Sequence, residues 1–171
     1  RLYVASAGTI YYSEDFGSSY SSLSGEYTSG VDVDFEYNGR HVYVVTKSDK
    51  LRRISGNALL QVGSDTYEAP KGSDMLYWNN RIFIADGNKL YYNTYVDNYE
   101  LFASYLSLRT NIIGVRLLLG NPYLFCEDGI YQLEYDPLFT YSAVKVPVNV
   151  KPVSRRSIIS GYNEIAFMAE D

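Results

Sequence analysis

Short apolar segments alternate with polar turns along this chain, and they recur at nearly constant spacing. The first apolar segment of each unit starts at intervals of 40, 40, 41 and 42 residues, at Leu2, Val42, Ile82, Tyr123 and Ile165. A second segment follows each of the first four, with apolar anchors at Ile10, Leu51, Leu90 and Ile130. The turns between the two segments carry Gly, Asn, Asp or Ser, which accept positive φ or form side-chain turns. The pattern therefore predicts a β-hairpin repeated about every 40 residues.

Two further strands are predicted to complete each unit. One precedes the apolar segment, over residues 31–37, 74–78, 112–119 and 157–160. The other closes the unit, over residues 20–26, 59–63, 100–105 and 141–146. Four short antiparallel strands at this spacing are the sequence signature of β-propeller blades, whereas a β-sandwich or a β-solenoid does not predict so regular a repeat. We therefore predict an all-β fold, a β-propeller section built of four-stranded antiparallel blades.

The blades divide the chain into five parts. We predict a partial blade without its innermost strand over residues 1–24, full blades over 30–64, 73–105 and 111–147, and the start of a further blade over 155–171. The strand at Ile165 repeats the role of the strand at Leu2, and Arg1 already opens inside a strand pattern. Because a closed ring needs no such duplicate, we expect that the chain is cut from a longer polypeptide with more blades.

Composition and charge restrict the possible function classes. The formal net charge is −5, and basic residues are scattered apart from short pairs, which argues against tight nucleic-acid binding. The sequence contains no apolar run of membrane-spanning length and no visible signal peptide. Cys126 is the single cysteine and lies in an apolar strand, so the sequence contains neither an internal disulfide nor a thiolate metal cluster.

One eight-residue motif, over residues 13–20, resembles the Asp box of sialidase-like propellers. The motif is S-x-D-x-G-x-[ST]-W, and here Ser13, Asp15, Gly17 and Tyr20 occupy its positions, with Tyr in place of Trp. The Asp side chain of such a box accepts backbone N–H groups, Gly takes a positive φ, and the aromatic ring packs under the turn. The resemblance therefore implies a structural role in a hairpin and no role in catalysis.

Three carboxylates alternate with apolar residues on the first full innermost strand. Asp32, Asp34 and Glu36 are two residues apart, so we expect all three on one side of the strand. That side cannot be a dry core unless its charges are paired. We predict that it borders solvent, a channel or an Arg/Lys-bearing neighbour, and that neutralising the three acids leaves the fold intact. A hard cation such as calcium is the alternative, but the loop spacing of known calcium motifs is absent and no metal site is predicted.

The sequence offers no candidate for enzyme chemistry. His41 is the only histidine, and neither a nucleophile elbow nor an accessible thiol accompanies it. No phosphate loop, dinucleotide fingerprint or metal-spaced His/Cys set is present. We therefore predict a non-enzymatic protein with no catalytic residues and no cofactor.

Several segments together resemble propeller proteins of bacteriophage tails, namely the tail tubular protein B or nozzle of short-tailed phages and related connector proteins. These segments cover residues 80–85, 88–93, 100–102, 110–115, 122–125, 127–133, 153–159 and 164–168. The resemblance implies an oligomeric, non-catalytic virion component of the tail or head-to-tail connector, made in the host cytoplasm. Its expected partners are copies of itself and other tail or connector proteins, with transient, non-specific passage of DNA through a genome channel.

Two interpretations from other classes stay open at this point. A glycan-binding or sialidase-like propeller is supported by the Asp box and by the 19 tyrosines, whose rings can stack on sugars. A generic protein-interaction propeller is equally compatible with the repeat. The acidic balance favours the phage component, because a channel wall that attracted phosphate would retain the DNA.

Overall fold

Each unit of the repeat folds as one antiparallel sheet in the computed structural model, which describes residues 1–63, 69–94, 101–136, 138, 140–148, 150–161 and 163–169. Blade I contains β1 (Leu2–Ser6), β2 (Thr9–Ser13) and β3 (Ser21–Ser22). Blade II contains β4 (Val33–Tyr37), β5 (Val42–Thr46), β6 (Arg52–Ser55) and β7 (Ala58–Gln61). Blade III contains β8 (Asp74–Trp78), β9 (Arg81–Asp86), β10 (Lys89–Tyr92) and β11 (Ser104–Ser107). Blade IV contains β12 (Ile112–Leu118), β13 (Asn121–Cys126), β14 (Gly129–Asp136) and β15 (Thr140–Lys145).

A fifth sheet follows a single 3₁₀ turn at Arg155–Ser157. This blade V contains β16 (Ile159–Ser160) and β17 (Ile165–Ala166). Within every blade the strands pair with their sequence neighbours in antiparallel order, so no crossover connects them. The predicted fold class, an all-β propeller section of four-stranded antiparallel blades, is confirmed.

The blades are held together by four apolar clusters, each located between two consecutive sheets. On β9, Ile82 and Ile84 pack towards blade II, whereas Phe83 and Ala85 pack towards blade IV. All four side chains are fully buried, because neighbouring blades cover both faces of the sheet. Full burial of each large side chain contributes roughly 1.5–3 kcal/mol. Burial on both faces explains why strands such as β5 and β9, the second strands of blades II and III, are continuous apolar runs instead of alternating apolar and polar residues.

Two closing strands differ from the predicted bounds by more than two residues. The strand predicted over residues 20–26 is reduced to Ser21–Ser22, because Ser24 turns to blade II before Tyr27 N–H donates again to Gly8 O of blade I at 2.9 Å. Ser24 N–H donates to Asn57 O of blade II at 2.8 Å, and Gly25 turns the backbone with a φ of 98°. The strand predicted over residues 100–105 lies instead at Ser104–Ser107, and residue 100 is outside the described part of the chain.

Candidate functional site

The innermost strands of blades II and III present two aspartates at equivalent positions. Asp34 on β4 is paired across the sheet with Val45, and Asp74 on β8 is paired in the same way with Ala85. Val45 and Ala85 occupy matching positions of the second strand in their blades, so the repeat places both carboxylates at the same level of the propeller axis.

Each of these carboxylates binds the backbone of the next blade. Met75 N–H donates to Asp34 Oδ2 at 2.7 Å, and Val115 N–H donates to Asp74 Oδ2 at 2.7 Å. Both bonds therefore link one innermost strand to the following one. They satisfy N–H groups near the axis, which would otherwise be costly to bury.

Two arginines complete what we call the axial cluster, Asp34, Asp74, Arg116 and Arg155. Arg116 Nη1 lies 2.6 Å from Asp74 Oδ2, and Arg155 Nε lies 2.9 Å from Asp74 Oδ1. Arg155 Nη2 also donates to Asp34 Oδ1, so one guanidinium joins both carboxylates. The Asp74 side chain is 0% exposed and that of Arg155 is 19% exposed. The cluster thus ties blades II, III and IV and the segment before blade V into one network.

Burial and repulsion from Asp74 perturb the pKa of Asp34. Burial, together with the charge of Asp74, raises the pKa of Asp34 to about 7, while Arg155 acts in the opposite direction. Burial works against the charged form of Arg155, but Asp34 and Asp74 nevertheless raise the pKa of its guanidinium. Two guanidiniums face two carboxylates, so the cluster is charge-balanced when all four groups are ionised.

The three predicted acids have different surroundings. Asp34 belongs to the axial cluster, and Asp32 forms a more exposed ion pair with Arg156. Asp32 and Asp34 therefore each face an arginine, which is one of the three environments expected from the sequence. Glu36 instead accepts the N–H of Tyr77, and burial with the charge of Asp34 raises its pKa to about 7.

Sequence reasoning missed Asp74, Arg116 and Arg155 as members of this site. The repeat could have predicted Asp74, because it lies 40 residues after Asp34. Each aspartate also comes at the same distance before the first apolar segment of its unit, Val42 or Ile82. In blade IV, Ile112 pairs with Cys126 and so occupies the position that Asp34 and Asp74 hold in blades II and III. A β-bulge follows it, and the repeat of acidic residues does not continue into blade IV. Arg155 carried no sequence signal, because it reaches Asp34 across 121 residues of chain.

A cleft of 630 Å³ opens at the end of the axis where the innermost strands begin. Arg155 and Arg156 line it together with Lys47, Lys71 and Asp32. Its walls thus carry both signs of charge, in contrast to the purely acidic surface that the β4 pattern alone would produce.

The Asp-box residues meet in the hairpin between β2 and β3. Asp15 Oδ1 accepts Ser19 N–H at 2.9 Å, and Ser13 Oγ accepts Gly17 N–H at 2.7 Å. Gly17 has a φ of 97°, and the Tyr20 hydroxyl lies 3.0 Å from the position of a Cβ on Gly17. The hydrogen bonds of Ser13 and Ser19 lower the pKa of Asp15 below its usual range. These contacts are confined to the hairpin and contain no group directed at the axial cluster.

Replacing Asp15 with Ala should lower the midpoint of thermal unfolding by about 2–4 °C, because the turn loses the acceptor of Ser19 N–H. Circular dichroism during heating measures the shift. Glu14→Ala is the matched control, since that carboxylate makes only a surface ion pair with Arg1. Equal midpoints for the two variants would contradict the structural role of the box.

The remaining sequence candidates lie apart from the axis. Cys126 is buried core, and burial raises the pKa of its thiol to about 12. His41 packs edge-on against Tyr43, and burial with the charges of Arg53 and Arg40 lowers its pKa. Within the described ranges, no cluster of His, Cys, Asp and Glu could hold a metal ion. The described residues include no helix of sufficient length and apolarity to cross a membrane.

Solved structures share the fold of this chain. One is BBS1N in complex with ARL6DN, at 16% identity and a TM-score of 0.58 over 98% of this chain and 56% of that one. Another is the extracellular domain of the putative hybrid two component system BT4673 from B. thetaiotaomicron, at 14% identity and a TM-score of 0.56 over 92% of this chain and 24% of that one.

The chain therefore spans little more than half the length of the first of these structures and a quarter of the second. No family model and no curated protein matches the sequence. At such low identity the likeness concerns the fold alone, and it identifies this chain as propeller-like.

Proposed function

We propose that this chain is a non-catalytic propeller section that works by binding and assembly, placed in a bacteriophage tail or head-to-tail connector. The observation that carries the non-catalytic role is the saturation of Asp74. One of its oxygens accepts Val115 N–H and pairs with Arg116, and the other accepts from Arg155. The Asp74 side chain is also 0% exposed, so this carboxylate stabilises the fold and is not accessible to a substrate.

The placement in a virion rests on the sequence resemblance and on charge. A net charge of −5 suits a wall past which DNA must move without being retained. At the axial opening, Asp32 pairs with Arg156. Asp86 and Glu127 line the same cleft as Lys47 and Lys71, so its cationic groups face carboxylates. In this proposal several copies surround the genome channel together with other tail or connector proteins, after synthesis in the host cytoplasm.

The test is the assembly state of the full-length protein that contains this chain. Native mass spectrometry and electron microscopy should show a ring of several copies. Those rings should not retain duplex DNA at low ionic strength, where attraction to exposed cationic groups is strongest. A protein that stays monomeric at all concentrations, or rings that bind duplex DNA tightly, would overturn the proposal. A monomer that captures a protein ligand through its blades would instead support the generic interaction propeller.

A further inference from the structure

The cleft at the axial opening carries charges that the axial cluster does not use, and we call it the axial cleft. Its volume of 630 Å³ falls within the range of about 300–1,000 Å³ usual for ligand sites. Its lining residues lie in or beside blades II, III and IV, or in the segment before blade V. Arg155 is already paired with Asp34 and Asp74. Arg156 is paired with Asp32, so the charges left for a ligand belong to other residues.

Two lysines form one side of the axial cleft, at the junction of blades II and III. Lys47 follows Thr46, whose carbonyl oxygen accepts the N–H of Gly72 at 3.0 Å. This bond places Lys47 and Lys71 on adjoining segments of the two blades. Both lysines are exposed, and neither forms an ion pair with another described residue. They therefore supply positive charge that is available to a ligand.

Two acids form the other side of the axial cleft, at the junction of blades III and IV. Asp86 ends β9, and Glu127 follows β13. Ile112 N–H donates to Gly87 O at 2.8 Å, and Glu127 N–H donates to Asn111 O at 3.1 Å, so residues 111 and 112 join the two turns. The Asn111 amide also donates to Glu127 Oε1 at 2.9 Å and thereby orients the carboxylate. Asp86 forms no ion pair in the described part of the chain.

The two sides of the axial cleft disfavour ligands of a single charge. A nucleic-acid strand would meet Asp86 and Glu127, and a polycation would meet Lys47 and Lys71. Like charges brought together in this way repel, whereas a ligand with both signs of charge finds a partner on each side. An extended peptide can provide both signs, because its alternate side chains point the same way about 7 Å apart.

We propose that the axial cleft binds an extended peptide segment of a partner protein that carries both an acidic and a basic side chain. The acidic side chain lies on Lys47 and Lys71, and the basic side chain lies on Asp86 and Glu127. This binding goes beyond the assembly of copies into a ring and does not depend on it.

Saturation-transfer difference NMR tests this site with short synthetic peptides whose ends are acetylated and amidated. The bipolar probe carries one Glu and one Lys separated by a single glycine. The diacidic and dibasic probes carry two Glu or two Lys at the same positions. The bipolar probe should receive saturation from the protein and bind more tightly than the other two. Its binding should weaken when the salt concentration is raised to about 0.5 M, because the charges involved are exposed.

Single substitutions locate the binding. Lys71→Ala should weaken binding of the bipolar probe about threefold to fivefold, the usual worth of an exposed ion pair. Arg40→Ala is the matched control, because Arg40 is an exposed cation beyond the opposite end of β4 and should leave binding unchanged. Glu127→Lys should reverse the preference, so that the diacidic probe binds more tightly than the bipolar one. Thermal unfolding of each variant separates loss of binding from loss of fold.

Three outcomes would overturn the proposal. The first is that the bipolar probe binds no more tightly than the diacidic and dibasic probes. The second is that Lys71→Ala and Arg40→Ala bind it equally well. The third is binding of a single-stranded oligonucleotide in place of the peptides, abolished by Lys71→Ala, because it would assign the axial cleft to nucleic acid. A protein that stays monomeric yet binds the bipolar probe would fail the ring proposal and still support this one.

Discussion

Replacing Asp74 with Asn is expected to lower the free energy of unfolding by about 3–5 kcal/mol, the cost of leaving a buried charge without its partner. The amide keeps an acceptor for Val115 N–H but removes the negative charge that faces Arg116 and Arg155. Because the Asp74 side chain is 0% exposed, water cannot replace that charge at its position. Chemical denaturation followed by circular dichroism measures the loss.

The control for this change is Asp86→Asn, at the end of β9 in the same blade. Asp86 is only half-buried, so its neutralisation should change stability by less than about 0.5 kcal/mol. A double-mutant cycle with Arg155→Met should give a coupling of about 0.5–3 kcal/mol between Asp74 and Arg155. Additive effects in this cycle, or equal losses for Asp74→Asn and Asp86→Asn, would show that the axial cluster does not stabilise the fold.

The free energy of unfolding should decrease as the pH rises from about 4.5 to 7. The ordinary pKa of Glu36 is 4.5, and burial with the charge of Asp34 raises it to about 7 in the folded chain. The folded state therefore binds this proton more tightly than the unfolded state. The stabilisation that protonated Glu36 gives to the folded state is complete below pH 4.5 and is lost as the pH rises through 7. At about 1.4 kcal/mol for each pH unit, the loss is about 3.5 kcal/mol at most. The pKa of Asp34, raised in the same direction, adds to this slope.

Glu36→Gln should flatten this pH dependence, because the amide does not titrate. Denaturation series at several pH values compare it with Glu134→Gln, which changes an exposed acid on β14. Asp15, Asp49 and Asp128 have lowered pKa values, so their stabilisation is lost only below about pH 4, outside this window. The lowered pKa of His41 acts against the slope of Glu36 up to its ordinary pKa of 6.5, because the unfolded state binds that proton more tightly. A wild-type protein that becomes more stable between pH 4.5 and 7 would contradict the assignment, as would a Glu36→Gln variant with the wild-type slope.

The structure changes one expectation about the acidic strand. From alternation alone, neutralising Asp32, Asp34 and Glu36 was expected to leave the fold intact. For Asp34, losing the contact with Arg155 is opposed by the relief of burial and of repulsion from Asp74, which raise its pKa, so we expect a smaller loss of stability than for Asp74. Neutralising Asp32 is still expected to leave the fold intact, because its ion pair with Arg156 is largely exposed. Neutralising Glu36 should increase the free energy of unfolding above neutral pH, because its buried charge is then removed.

The repeat spacing predicted the antiparallel order and the blades correctly, because these depend on local apolar spacing and on turn residues. The sequence also located the Asp box, whose hydrogen bonds all lie within residues 13–19. Which charges meet at the axis depends on how the blades pack against one another. Arg155 joins Asp34 and Asp74 from positions 121 and 81 residues away, and no local pattern encodes such a contact. Radial packing of the blades brings the starts of the innermost strands together, and the low polarity there then requires that their carboxylates be paired.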